Sequence, residues 1–356
     1  MKRSYQFMVA FLLIMLLAAS ASGAGYLRGG HYTLEELDAA VQGVAKKNPE
    51  LATIEEIGRS VEGRPLLLLK IGRPDKRERA EALIYGTAHA DEWTGNRVAL
   101  AIAERLAADD GHDPWISSLL DRIDFYIIPL LNPDGYVRAS KQLDRGFTLA
   151  RGNAHHVDLN RNWPQARGSA VENIKGAVLG GNRSKLSLNY RGPYPLSEPE
   201  NQALDRLVAG HDFFMIFDLH TAGGRFSYPW SFQEAAAPDQ DLFEAVGREM
   251  IAHQAKYPYQ AHQSYSWYQI LGSSKDWFYG HYGSPAVTIE LGIPSEFDKK
   301  ELGLRALNPF YRANPLDVQP WIENDRDAIL YAAQKAYELT NGEPLSPQDM
   351  EWIREE

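Results

Sequence analysis

His89 and Glu92, in His89-Ala90-Asp91-Glu92, place an imidazole and a carboxylate three residues apart, so one turn of chain can aim both at a single point. Both groups are good Zn2+ ligands. They follow a short apolar run, Ala82–Gly86, that reads as a buried strand. Ligand sites in open α/β sheets lie beyond the carboxyl ends of strands, which is where this pair falls. Alone, His-x-x-Glu is a weak signal, because Glu is common and the chain has ten histidines. His220 supplies a third ligand, ending the apolar run Phe213–Leu219 just before Thr221-Ala222-Gly223-Gly224. Two imidazoles and one carboxylate leave a fourth zinc position open to water, the pattern of a catalytic site rather than a structural one.

Two further segments carry chemistry. Glu290 lies in Ala286-Val287-Thr288-Ile289-Glu290-Leu291-Gly292, and a carboxylate in an apolar strand is costly to bury unless paired or employed. Two readings stand for it: a solvent-facing residue at a fraying strand end, or a general base beside an activated water. Arg151–Pro164 holds Arg151 and Arg161 among Asn153, Asn160 and Asn162. Such a segment is poor core material but suits carboxylates and developing oxyanions, the other reading being a surface loop with incidental charge. His155 and His156 read as loop residues flanking the cleft.

The intervening sequence must position these groups. Thr33 and Glu36 form a capping box, and Leu34, Leu37, Val41 and Val44 recur at helical spacing. Ala52–Ile57 and Leu66–Ile71 read as a hairpin, Gly95–Ala108 as an amphipathic helix, and Phe125–Leu131 as a strand ending in an Asn132-Pro133-Asp134-Gly135 turn. Residues 165–193, rich in Gly, Asn and Ser, read as a long excursion. Ser197 with Glu200 caps a helix leading into strand Phe213–Leu219. Helices around Gln240–Gln254 and Ser274–Tyr279, strand Ala286–Leu291 and helix Asn324–Leu339 follow, and residues 341–356 read as a polar, partly mobile tail. Strands alternating with helices predict one α/β domain, residues 22–340, with a largely parallel or mixed sheet covered on both faces.

Composition narrows the class. The 356 residues carry 37 Lys and Arg against 47 Asp and Glu, a net charge of −10, with 44% apolar residues and no cysteine. An acidic chain without a basic stripe argues against nucleic-acid binding. Without cysteine, thiol catalysis, disulfide scaffolds and thiolate zinc sites are excluded. Lys2 and Arg3 precede an apolar run from Phe7 to Ala19 and the small residues Ala19-Ser20-Ala21, which reads as a secretory signal peptide over residues 1–21. A retained anchor is the other reading, but the run is shorter than the roughly 20 apolar residues of a spanning helix. Its removal leaves 35 positive against 47 negative residues, a net −12. The expected location is secreted, periplasmic or cell-envelope.

Taken together, His89-x-x-Glu92, Asn132-Pro133-Asp134-Gly135-Tyr136, Asp158-Leu159-Asn160-Arg161-Asn162, His220 and Thr288-Ile289-Glu290 resemble the zinc carboxypeptidase family of pancreatic carboxypeptidase A and B type. The resemblance runs in order from about Tyr32 to Gly292, and Glu56–Pro65 is similar to the opening hairpin of that catalytic domain. It implies an α/β/α sandwich around a mixed, mostly parallel eight-stranded sheet. It implies one zinc per chain held by His89, Glu92 and His220, with Glu290 as general base and Arg151 polarising the scissile carbonyl. Asn160 and Arg161 match the pair that grips the substrate's terminal carboxylate, and Tyr268 the mobile tyrosine that closes over it. Non-proline cis peptides are implied at Thr221–Ala222, Pro229–Trp230 and Gly292–Ile293. No pro-segment precedes Tyr32, so latency by an inhibitory prodomain is not expected. Lys275 falls where the family places the floor of the pocket for the final side chain. An ammonium there predicts a preference for terminal Glu or Asp, or for a diaminopimelate, unless a neighbouring carboxylate neutralises it.

Three rivals share part of the pattern. Lys275-Asp276-Trp277-Phe278 with Thr288–Gly292 is also similar to bacterial γ-D-glutamyl-diaminopimelate peptidases, which cut peptidoglycan stem peptides. A non-catalytic carboxypeptidase-like module loses ligands or the base, whereas every such position is filled here. A deacylase of the aspartoacylase type shares the zinc triad but not the Asp158–Asn162 and Tyr268 segments.

Overall fold

The computed structural model describes residues 29–75, 77–166, 181–300, 302 and 306–353. The amino-terminal run read as an export signal and part of the 165–193 excursion lie outside the described residues.

The apolar pattern of the chain resolves into one eight-stranded sheet of order β1-β2-β4-β3-β6-β9-β7-β8. Its strands are β1 (Ala52–Arg59), β2 (Pro65–Ile71), β3 (Ala80–Gly86), β4 (Ile123–Ile128), β6 (Phe213–Thr221), β7 (Arg225–Tyr228), β8 (Gln260–Gln263) and β9 (Ala286–Leu291). The central strands β4, β3, β6 and β9 run parallel, as do β7 and β8, while β1/β2, β2/β4 and β7/β9 are antiparallel. A separate two-residue pairing joins β5 (Gln165–Ala166) to β10 (Trp352–Ile353).

Successive strand residues face opposite sides, and the two cores follow that period. Ala82 and Ile84 of β3 with Phe125 and Ile127 of β4 join the larger core, under α1 (Leu34–Lys47), α2 (Thr94–Asp109), α3 (Pro114–Leu120), α6 (Gln240–Ala252) and α9 (Gln319–Thr340). Leu83, Tyr85, Tyr126 and Ile128 face the other way, onto Leu204, Leu207 and Val208 of α5 (Pro199–Ala209) and Trp277 of α7 (Ser274–Trp277). Every residue of β6 is buried, as a central parallel strand requires. The expected layered sandwich is the one observed.

Several boundaries differ from the sequence reading. Strand β4 stops at Ile128, before Pro129, and Asn132–Gly135 opens helix α4 (Pro133–Leu143) instead of a turn. Asn132 accepts the Gly135 N–H at 3.0 Å and Pro133 fills the first helical turn, so cap and proline favour a helix start. Helix α5 begins at Pro199, and Ser197 donates to Glu198 Oε1 rather than capping it. Helix α9 starts five residues early, at Gln319, because Pro320 is admitted at its first turn. The segment read as a polar tail packs against the domain. Leu345 N–H donates to Gly283 O at 2.7 Å, and the Trp352 ring meets Trp277 edge-on at 5.2 Å.

Helix α2 approaches the sheet closely through glycine. A Cβ at Gly95 would lie 2.8 Å from Leu219 O, immediately before His220, and one at Gly86 would lie 2.9 Å from Gly95 C. Gly95→Val should therefore destabilise the fold by about 1–3 kcal/mol, since backbone cannot move aside as a side chain can. Gly43, mid-helix in α1 with open space around it, should behave oppositely. Gly43→Ala should stabilise by roughly 0.5–1 kcal/mol, and thermal melting of the two variants compares them directly.

Candidate metal centre and catalytic cavity

The loop between β3 and α2 brings His89 and Glu92 to the sheet's carboxyl edge. It is held from three sides. Asn132, the cap of α4, donates to Ala88 O at 3.0 Å, and Ala90 N–H donates to Arg151 O at 2.7 Å. Asn314 Oδ1 accepts the N–H groups of Trp93 and Thr94, while its amide nitrogen donates to Asp91 O at 2.6 Å. His220 reaches the same point from β6.

The three ligand atoms converge. His89 Nδ1 lies 2.8 Å from Glu92 Oε1, His220 Nδ1 lies 2.9 Å from Glu92 Oε2, and the two Nδ1 atoms are 2.9 Å apart. All three residues are buried, and one ligand atom from each falls within 4.8 Å of the others. The far side of each ring meets a buried carboxylate: His89 Nε2 lies 3.0 Å from Asp158 Oδ1, and His220 Nε2 lies 3.0 Å from Asp218 Oδ2. Such partners fix which ring nitrogen carries the proton and turn the other lone pair inward. Two inward lone pairs and a carboxylate at these separations repel unless a cation lies among them, so the donor set fits a zinc ion.

The ligands line a cavity of about 180 Å3 that also takes in Arg151, Asn160, Arg161, Tyr268, Lys275 and Glu290. All nine residues singled out from sequence thus meet in one place. Arg151 Nε donates to Asp158 Oδ2 at 2.9 Å, and its Nη1 lies 3.3 Å from Glu92 Oε1. Burial opposes its charge, but Asp158 and Glu92 keep the guanidinium firmly protonated. Arg161 Nη2 lies 3.4 Å from the Tyr268 hydroxyl. Gly272, at φ +62°, lies where a side chain would strike the Arg161 carbonyl, so the Tyr268–Lys275 segment is drawn tight against Arg161. Asn160 also has a use beyond the sequence expectation: its amide nitrogen donates to Asp218 Oδ2 at 3.5 Å, and its oxygen accepts the Ser274 N–H at 3.0 Å. It ties the carboxylate behind His220 to α7 as well as lining the cavity.

Glu290 shares a strand face with Thr288 and is partly exposed to the cavity. Burial, reinforced by Glu92, pushes its pKa up. Lys275 is 2% exposed, and its Nζ lies 3.3 Å from Thr288 Oγ1 and 3.4 Å from Ser273 Oγ. It forms no ion pair among the described residues; Asp276 instead accepts the Ser231 N–H. Burial pushes the lysine's pKa down. Of the three cis peptides expected, Thr221–Ala222 and Pro229–Trp230 are cis and Gly292–Ile293 is not.

Sequence reasoning quoted Asp158 and Asp218 without giving them a task. Asp218 had the signal that marked Glu290, a carboxylate inside an apolar strand, and it lies two residues from His220 on the same face. Asn314, far away in sequence, had no comparable signal. Asp158→Asn and Asp218→Asn should each weaken zinc binding about 10–100-fold while leaving the ligands in place. Competition with a zinc chelator followed by metal analysis measures this, and His89→Ala or His220→Ala should retain no zinc.

A sequence profile of the zinc carboxypeptidase family matches residues 37–305. Mouse carboxypeptidase A4 is 29% identical over 273 residues, covering 74% of this chain and 63% of its own length. Mouse carboxypeptidase A1 is 26% identical over 304 residues, covering 82% and 68%. The chain thus spans about two thirds of these relatives. Among solved structures, carboxypeptidase A from Helicoverpa armigera superposes with TM-score 0.68 at 23% identity, over 94% of this chain and 82% of that one. A metallo-carboxypeptidase from Burkholderia cenocepacia gives 0.61 at 20% identity, over 87% and 70%, so both share the fold. With three quarters of its length matched and its two imidazoles and carboxylate gathered at the sheet edge, the chain belongs to the zinc carboxypeptidase family.

Proposed function

We propose that the protein is an exported zinc metallocarboxypeptidase that removes the last residue of a peptide. The observation that carries this reading is one cavity in which a metal triad, a raised-pKa carboxylate and two guanidiniums meet. A zinc ion held by His89, Glu92 and His220 supplies Lewis acidity and brings the pKa of water towards 7. Glu290 takes the proton of the attacking water, a role that its raised pKa suits, and returns it to the departing amine. Arg151 meets the oxyanion as charge develops, in place through Asp158 before substrate arrives. Arg161 pairs with the terminal carboxylate, with Asn160 beside it and the Tyr268 hydroxyl closing over the same group. An internal peptide bond offers no such anion, so chain ends are selected. Export rests on Lys2, Arg3 and the apolar run after them; among the described residues no helix is long and apolar enough to cross a membrane.

Lys275 sets the preferred end. A buried ammonium bonded only to hydroxyls favours a substrate whose final side chain brings a carboxylate, and an apolar side chain would leave it desolvated and unpaired. The same feature supports a second reading, a peptidoglycan stem-peptide hydrolase, because diaminopimelate carries a second carboxylate. Incubation of the protein with a peptide library and with muropeptides, read by mass spectrometry, separates the two.

Glu290→Gln should keep zinc and fold while kcat falls at least about 100-fold, since an amide cannot carry the proton; near-normal kcat would remove Glu290 from that role. Comparison of kcat/KM for peptides ending in Glu, Phe and Arg should rank Glu first. Lys275→Ala should cost the Glu-ended peptide roughly tenfold or more relative to Phe. Phe winning tenfold in the parent enzyme, with Lys275→Ala changing nothing, would refute the acidic pocket.

A further inference from the structure

A polar row crosses the sheet at the level of the cavity. Tyr85 on β3 lies in register with Asp218 on β6, Asp218 with Thr288 on β9, Thr288 with Ser227 on β7, and Ser227 with His262 on β8. Cross-strand partners in register share a face. That face bears Glu290 and His220, whereas the alternate residues Phe217, Phe226 and Ile289 enter the larger core. The inner half of the row serves the metal: Asp218 backs His220 and accepts from Ser274 Oγ at 2.9 Å. Its outer half has no such task. Thr288 bonds Lys275, Ser227 lines the cavity, and His262 Nε2 lies 3.3 Å from Ser227 Oγ.

In a pocket for an apolar group the Lys275 ammonium, bonded only to hydroxyls, would lack a counter-charge, and the Thr288 and Ser227 hydroxyls beside it would leave hydrogen-bonding capacity unused. They suit a carboxylate, which accepts several hydrogen bonds at once. His262 stays neutral, because burial and then Arg225 push its pKa down to about 4. With its ring proton on Nε2 it donates to Ser227 Oγ, which leaves the hydroxyl hydrogen free for a carboxylate and adds no second cation to compete with Lys275.

We propose that Ser227, positioned by His262, is a specificity-determining residue that completes with Lys275 a receptor for the side-chain carboxylate of a substrate ending in glutamate or a similar diacid. The inference rests on the carboxypeptidase reading of the cavity and names its substrate class. Ser227 touches the substrate; His262 acts through it.

The test uses the zinc-loaded full chain with Ser227→Ala, His262→Ala and His262→Gln. Values of kcat and KM are measured for N-blocked dipeptides ending in Glu and in Phe. Calorimetry gives Kd for glutarate and butyrate, which differ by one carboxylate. Ser227→Ala should lower the Glu-over-Phe preference about tenfold, through KM of the Glu-ended dipeptide. The advantage of glutarate over butyrate should shrink by a similar factor. His262→Ala should move both in the same direction, and His262→Gln, which keeps a hydrogen-bonding group, should recover part of the loss. Zinc content and thermal melting report that each variant is folded. An unchanged preference and an unchanged glutarate advantage in Ser227→Ala overturn the proposal. Equal losses for both dipeptides in His262→Ala, without rescue by Gln, overturn its positioning role. A parent enzyme that cuts neither dipeptide overturns the carboxypeptidase reading instead, and the glutarate comparison then still decides the receptor.

Discussion

Two imidazole lone pairs and a carboxylate forced into one buried point form the constraint on which the rest of this structure depends. His89 and His220 are turned inward because Asp158 and Asp218 hold their outer nitrogens, and Glu92 faces both. Bringing these donors together is unfavourable until a cation joins them. Metal affinity and fold are therefore coupled, since the fold must maintain a geometry that only the metal makes favourable.

The scaffold meets this demand with redundancy. The His89 loop is fastened by Asn132 from α4, by the Arg151 carbonyl and by Asn314 from the carboxyl-terminal third of the chain. His220 needs little fastening of its own, because β6 is buried throughout and paired on both sides, with β3 and β9. That pairing also sets Glu290 in register with His220. The distance between Glu290 and His220 is thus a property of the sheet, not of a loop. Strand pairing places such groups more rigidly than a loop could, which suits chemistry that depends on sub-ångström placement.

The buried ammonium is anchored on the same face by the same means. Thr288 is two residues from Glu290, so the strand that carries Glu290 also carries a bond to Lys275. The segment from Tyr268 to Lys275 is drawn against Arg161 by Gly272, which brings the hydroxyl, the guanidinium and the ammonium to one wall. Arg161, Tyr268 and Lys275 share their supports with the metal centre. Asn160 makes this sharing explicit, bonding Asp218 behind His220 on one side and α7 on the other.

Much of this was legible in the residues themselves. Short continuous apolar runs marked the strands, polar groups at their ends marked the ligands and Glu290, and the order of the motifs pointed to the family. These signals are local, because each needs only neighbours a few positions away. Where local signals competed, sequence reading failed: Asn132–Gly135 carries turn residues and helix-cap residues at once, and the Asn132 cap with Pro133 in the first turn makes it a helix start. The docking of Trp352 against Trp277, the clamp by Asn314, the meeting of Asp158 with His89 and the row from Asp218 to His262 leave no local pattern. The sequence determined which groups could do chemistry and roughly on which elements they ride. Only the tertiary structure decided which of them touch, because strand order and register place side by side residues that lie tens to hundreds of positions apart in the chain.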